Sequence, residues 1–108
     1  MAYRVEITPH AARSLRRLPE KVKARVVGAI DGLEQDPRPV GVKKLRDFDG
    51  VYRLRIGDYR LVYAVAEQVL LVVVLTTGHR KDVYQGLPSA VISAKRLLSG
   101  FLTQDQES

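Results

Sequence analysis

The run Val51-Tyr52-Arg53-Leu54-Arg55-Ile56-Gly57-Asp58-Tyr59-Arg60-Leu61-Val62-Tyr63-Ala64-Val65-Ala66 decides the fold. Val51 to Ile56 alternates strongly between apolar and charged residues, and a second strand runs from Tyr59 to Ala66. Gly57-Asp58 between them has the composition of a two-residue hairpin turn. Closing the hairpin on that turn sets Ile56 opposite Tyr59, Arg55 opposite Arg60, Leu54 opposite Leu61 and Arg53 opposite Val62. Tyr52, Leu54, Ile56, Tyr59, Leu61 and Tyr63 then share one face, a candidate core. Arg53, Arg55 and Arg60 share the other.

Downstream, Glu67-Gln68 turns the chain into Val69–Thr77, a strand apolar on both faces and therefore expected to be covered on both. Upstream, Lys43–Arg46 is a short strand or lead-in, with a turn at Asp49-Gly50. Tyr3–Ile7 alternates as an N-terminal strand, and Thr8-Pro9 has the chemistry of a helix cap and first helical residue. Ala12, Leu15 and Leu18 stripe a short helix that Pro19 ends. Val22, Val26, Ala29, Ile30 and Leu33 stripe a second. From Pro88 the pattern turns helical again to about residue 102, with Val91, Leu97, Leu98, Phe101 and Leu102 on one face.

The expected class is α+β: an N-terminal strand, a two-helix hairpin and an antiparallel three-stranded meander. The helix pair packs on one sheet face, and an extra C-terminal helix follows. Residues 1–87 form the main body, and residues 88–108 a helical extension and polar tail of the same domain.

The chain has 108 residues, 45% of them apolar, enough for one hydrophobic core. It has no cysteine, which excludes disulfides and thiolate metal sites. No secretory leader is evident, and the longest apolar stretch is too short to span a bilayer, so a cytoplasmic location is expected. The net charge of +6 points to an anionic partner. Fourteen of the 18 Lys and Arg residues lie in the first 60 positions.

The arginine face is where charge and topology meet. Like charges directly opposite destabilise a sheet by roughly 0.2–1 kcal/mol per pair, so Arg55 against Arg60 is not a choice made for stability. A solvated face tolerates such a pair, because screening in water lowers its cost. A polyanion site uses it, because guanidinium forks match phosphate oxygens. The meander brings Gly78-His79-Arg80-Lys81 to the turn end of the hairpin, adding charge to the same rim. Tyr84, a few residues on, is a candidate proton acceptor or a ring for stacking on a base. His79 is the alternative proton carrier, and His10 is read as an ordinary surface or capping residue. The sequence has no metal-ligand cluster, phosphate-binding glycine loop or Ser or Cys nucleophile motif, so no metal or cofactor is expected. RNA cleavage suits so sparse a set, because RNA carries its own nucleophile, the 2′-hydroxyl.

An N-terminal strand and helix pair precede Lys44-Leu45-Arg46, Tyr52-Arg53-Leu54-Arg55, Gly57-Asp58-Tyr59-Arg60-Leu61-Val62-Tyr63 and Gly78-His79-Arg80-Lys81-Asp82-Val83-Tyr84. In this order and spacing they resemble the RelE branch of the RelE/ParE toxin superfamily, from Tyr3 to about Tyr84. The resemblance implies a toxin of a type II toxin–antitoxin system that enters the ribosomal A site and cuts messenger RNA. By position, Arg60 and Arg80 would hold and neutralise the scissile phosphate, and Tyr84 would act near the 2′-hydroxyl as base or stacking group. Arg53 and Arg55 stand where related toxins often have lysine. Arginine keeps its proton, so neither can be a base, although both can stabilise an oxyanion. Lys43, Lys44, Arg46, His79 and Lys81 would contact RNA or the ribosome.

The resemblance also implies an acidic antitoxin, RelB-like or of another class, with operator DNA bound only through it and no membrane partner. Two other functions share these features. A ParE-like gyrase poison would use the same fold to bind protein, and a non-catalytic nucleic-acid-binding module would use the same charge.

Overall fold

A computed structural model describes residues 2–96. The order is β1 (Arg4–Ile7), α1 (Pro9–Arg16), α2 (Glu20–Gly32), β2 (Val42–Lys44), β3 (Val51–Ile56), β4 (Tyr59–Ala66), a 3-10 turn at Glu67–Val69, and β5 (Leu71–His79). Residues 87–96 form a further helix, α3. The expected continuation of this helix to residue 102 lies outside the described residues.

The hairpin takes the register that its turn dictates, with Ile56 paired to Tyr59, Arg55 to Arg60 and Arg53 to Val62. Gly57 has φ +61°, a backbone state that glycine enters without steric cost. The five strands lie in the order β1-β5-β4-β3-β2. β2 adds antiparallel to β3, with Lys43 opposite Arg53. β1 joins β5 in parallel, so the sheet is mixed rather than wholly antiparallel. A parallel neighbour needs a crossover, and the segment between β1 and β5 contains the α1–α2 pair that covers one face.

The sheet separates two cores. On one side Ala11, Leu18, Val26, Ile30 and Leu33 pack on Leu54, Ile56, Leu61, Tyr63, Val72 and Val74. On the other, Val83, Leu87, Ala90, Val91 and Ala94 pack on Val51, Val62, Ala64, Leu71, Val73 and Leu75. β5 is thus buried from both sides, which explains its unbroken apolar run. α1 and α2 share one face as expected, and α3 covers part of the opposite one.

Thr8 couples the first helix to the sheet. Its Oγ1 accepts from the Ala11 N–H at 3.1 Å and donates to the Val74 carbonyl at 2.9 Å. Tyr63, wholly buried, donates its hydroxyl to the Pro37 carbonyl at 2.7 Å and anchors the loop after α2. Among the described residues no helix is long and apolar enough to cross a membrane.

Candidate functional site

β3 and β4 carry the arginines on the sheet face away from α1 and α2. Successive strand residues alternate sides, so Arg53, Arg55 and Arg60 emerge opposite Leu54, Ile56 and Leu61, which face the helices. Two rungs make the basic surface. One runs through Lys43, Arg53, Val62 and Thr76, and the next through Arg55, Arg60 and Gly78. α3 covers the far end of this face and leaves the turn end open.

Tyr84 is placed against this surface. Arg53 Nη1 donates to Tyr84 Oη at 3.0 Å, across 31 residues of sequence. Tyr84 as a residue is 39% exposed, so it stands at the surface while its oxygen is held by Arg53. Leu45, Phe48, Leu87 and Pro88 give a groove there apolar walls, with Arg46, Arg53 and the Asp47 carboxylate at its edges beside Tyr84. Arg80 lies at the same end: its N–H donates to the Asp58 carbonyl at 2.8 Å, extending the sheet past the hairpin turn, and its side chain is exposed. Arg60 is more engaged than expected. Its Nη1 donates to the carbonyls of Gly57 and Tyr59, both at 3.0 Å, which draws the guanidinium over the turn and leaves its other nitrogens for an anion.

Of the residues singled out in the sequence, Lys43, Arg46, Arg53, Arg55, Arg60 and Tyr84 share this face or its groove, with Arg80 at its end. Lys81 is exposed beside Arg80. Two others lie elsewhere. Lys44 lines a depression with Arg38, Asp49, Tyr52 and Glu67 at the other end of the hairpin. His79 pairs with Tyr59, and its ring meets Tyr59 edge-on at 5.5 Å on the helix side of the sheet. The cause is a bulge. Val62 pairs with Thr76 but Tyr63 with Val74, so Leu75 is an extra residue and the side-chain alternation of β5 slips by one. Leu45, Phe48 and Leu87, apolar walls of the groove, were not legible as site residues. They lie in connecting segments or core positions with no polar signature.

Residues 5–84 match the family described as the ParE toxin of the type II toxin–antitoxin system parDE. Toxin RelE of Mycobacterium tuberculosis is 38% identical over 87 residues, covering 80% of this chain and 90% of that protein. The chain belongs to this toxin family. It is also 30% identical over 83 residues to the mRNA interferase toxin RelE of Escherichia coli, covering 75% of this chain and 86% of that protein. Among solved structures, the RelBE2 toxin–antitoxin complex of M. tuberculosis superposes with a TM-score of 0.65 at 34% identity, covering 74% of this chain and all (100%) of the matched one. The chain is therefore a RelE-type toxin of a type II system, and the matched span ends at Tyr84.

Proposed function

We propose that this toxin is a ribosome-dependent endoribonuclease that cuts messenger RNA in the A site, restrained by a cognate acidic antitoxin. The observation that carries the reading is Tyr84, held by Arg53 at 3.0 Å on the face that also presents Arg55 and Arg60. The relatives support it, since one is named an mRNA interferase and another is seen bound to an antitoxin.

The chemistry follows from what each group can do. The attacking 2′-hydroxyl belongs to the RNA, and Tyr84 Oη takes its proton as the oxygen closes on phosphorus. Negative charge then accumulates on the phosphoryl oxygens. Arg55, Arg60 and Arg80 stabilise it there, more strongly than they stabilise the diester, because donors preorganised around developing charge act most on the transition state. The 5′-oxygen departs and takes a proton from solvent on this open face. The products are a 2′,3′-cyclic phosphate and a 5′-hydroxyl. A face built of guanidiniums repels divalent cations, which suits a metal-free route.

The family description names ParE toxins, so gyrase inhibition is the competing activity. A gyrase binder has no need of a phenol among arginines, and that detail favours RNA. The deciding experiment is induced expression of wild type beside Arg80→Ala and Tyr84→Ala, with primer extension on a highly translated message. New 5′ ends within codons, lost in both variants, are expected. Growth arrest with intact messages and failed DNA relaxation by purified gyrase would replace this reading with the other.

A further inference from the structure

A second concavity lies on the helix side of the sheet, at the same end as the Gly57-Asp58 turn. The C-terminal part of α1 and Pro19 form one wall, and the end of β5 with the turn after it forms the other. The sheet itself separates it from the arginines. Arg60 pairs with Gly78 on one face, and Tyr59 with His79 on the other.

Of the polar side chains lining it, Ser14 and Thr77 are taken up by the Ala11 and Arg60 carbonyls, to which they donate, and four others are unspent. Arg17, His10, Asp82 and Gln85 all border the concavity, and none of their side chains has a hydrogen bond or ion pair among the described residues. His79 is partly engaged. Its Nδ1 accepts from the Lys81 N–H at 3.2 Å, which leaves Nε2 as the nitrogen that donates in the neutral ring. Its ring and that of Tyr59 supply aromatic surface, meeting at 83°.

This donor set does not suit phosphate, because the Asp82 carboxylate would face an anion. It suits the edge of a nucleobase, which presents donors and acceptors together and has a planar face to lay against a ring. We propose that this pocket holds one unstacked base of single-stranded RNA, a neighbour of the nucleotide whose phosphate lies on the arginine face. The strand crosses the end of the sheet at Gly57, Asp58 and Arg80 to join the two sites. The proposal rests on the ribonuclease reading for its RNA, and makes the pocket a determinant of which base flanks the cut.

The test is a titration of the full, nitrogen-15-labelled chain with each common ribonucleoside 5′-monophosphate, followed by amide chemical shifts. Saturable shifts are expected at His79, Asp82 and Gln85. Asp82→Ala and Gln85→Ala should each raise the dissociation constant about fivefold to tenfold, the effect of losing one hydrogen bond to a polar ligand. Arg55→Ala should leave the pocket shifts in place. The same spectra report whether each variant is folded. Shifts confined to the arginine face, no saturable shifts, or shifts indifferent to both pocket variants would overturn the proposal. In a cleavage assay Asp82→Ala should also redistribute the bases found beside the cut, and an unchanged pattern would count against it. Pocket binding by a protein that cuts no RNA would retain the nucleobase site and reject the ribonuclease reading instead.

Discussion

At the scale of single residues, the roles of Tyr84 can be separated because a phenol has two parts. The ring can stack and the oxygen can move a proton. Tyr84→Phe keeps the first and removes the second, together with the bond from Arg53. If proton transfer is the role, single-turnover cleavage falls by about 10²–10⁴, while affinity for a 2′-O-methylated RNA that cannot be cut stays within about threefold of wild type. A stacking role predicts the reverse, with Phe near wild type and only Tyr84→Ala impaired. The arginines should behave otherwise. Arg80→Lys keeps the charge but loses the forked donor, so a substantial loss of cleavage is expected despite the conserved sign. Arg53, Arg55 and Arg60 were legible in the sequence because a two-residue turn fixes which side chains share a face, whereas the roles of Arg80 and Tyr84 rested on the resemblance. His79 was misplaced for the converse reason. The bulge at Leu75 depends on how two strands pack, and no local pattern announces it.

Among elements, the hairpin and the Thr8 cap could be anticipated because both are settled by a few adjacent residues. The parallel pairing of β1 with β5 could not, because it joins segments more than sixty residues apart, as in Arg4 with Leu71. Nor could the side of the sheet that α3 would cover, since both faces of β5 are apolar. Tyr63 shows how one strand residue ties elements together. Burial pushes its phenol well above the ordinary tyrosine range. An acid whose folded pKa is raised contributes stability that is complete below its unfolded value, near pH 10, and is lost as pH climbs towards the folded value. Tyr63→Phe should therefore cost about 1–2 kcal/mol at neutral pH, with the Pro37 carbonyl left unpaired. It should also flatten the fall in stability between about pH 10 and 11. Urea denaturation at several pH values measures both, and equal slopes for the two proteins would refute the linkage. α2 offers a second check. Lys21 and Lys23 stand in its N-terminal half, where the helix dipole disfavours cations, and its last turn has no base. Lys21→Glu should stabilise the chain by about 0.3–1 kcal/mol at low salt.

For the whole molecule, the excess of positive charge sets how it meets an anionic partner. Charge of +6 on a domain this small steers it to polyanions, but only cations that touch phosphates release counterions on binding. The fold gathers Arg53, Arg55 and Arg60 on the open sheet face with Arg80 at its end, while Arg38 is held by Glu67 near the far end of the hairpin. About four phosphate contacts predict that log K for single-stranded RNA falls with log salt at a slope near −3. Each arginine removed from the face should lower that slope by about 0.7. Arg38→Ala should leave it unchanged, because that cation is already paired away from the face. The measurement is fluorescence anisotropy on a labelled, uncleavable oligoribonucleotide across a range of salt concentrations. A slope that ignores Arg55→Ala and Arg80→Ala alike would mean that RNA binds through another surface. The arginine pair across β3 and β4 would then need a different anion to account for it.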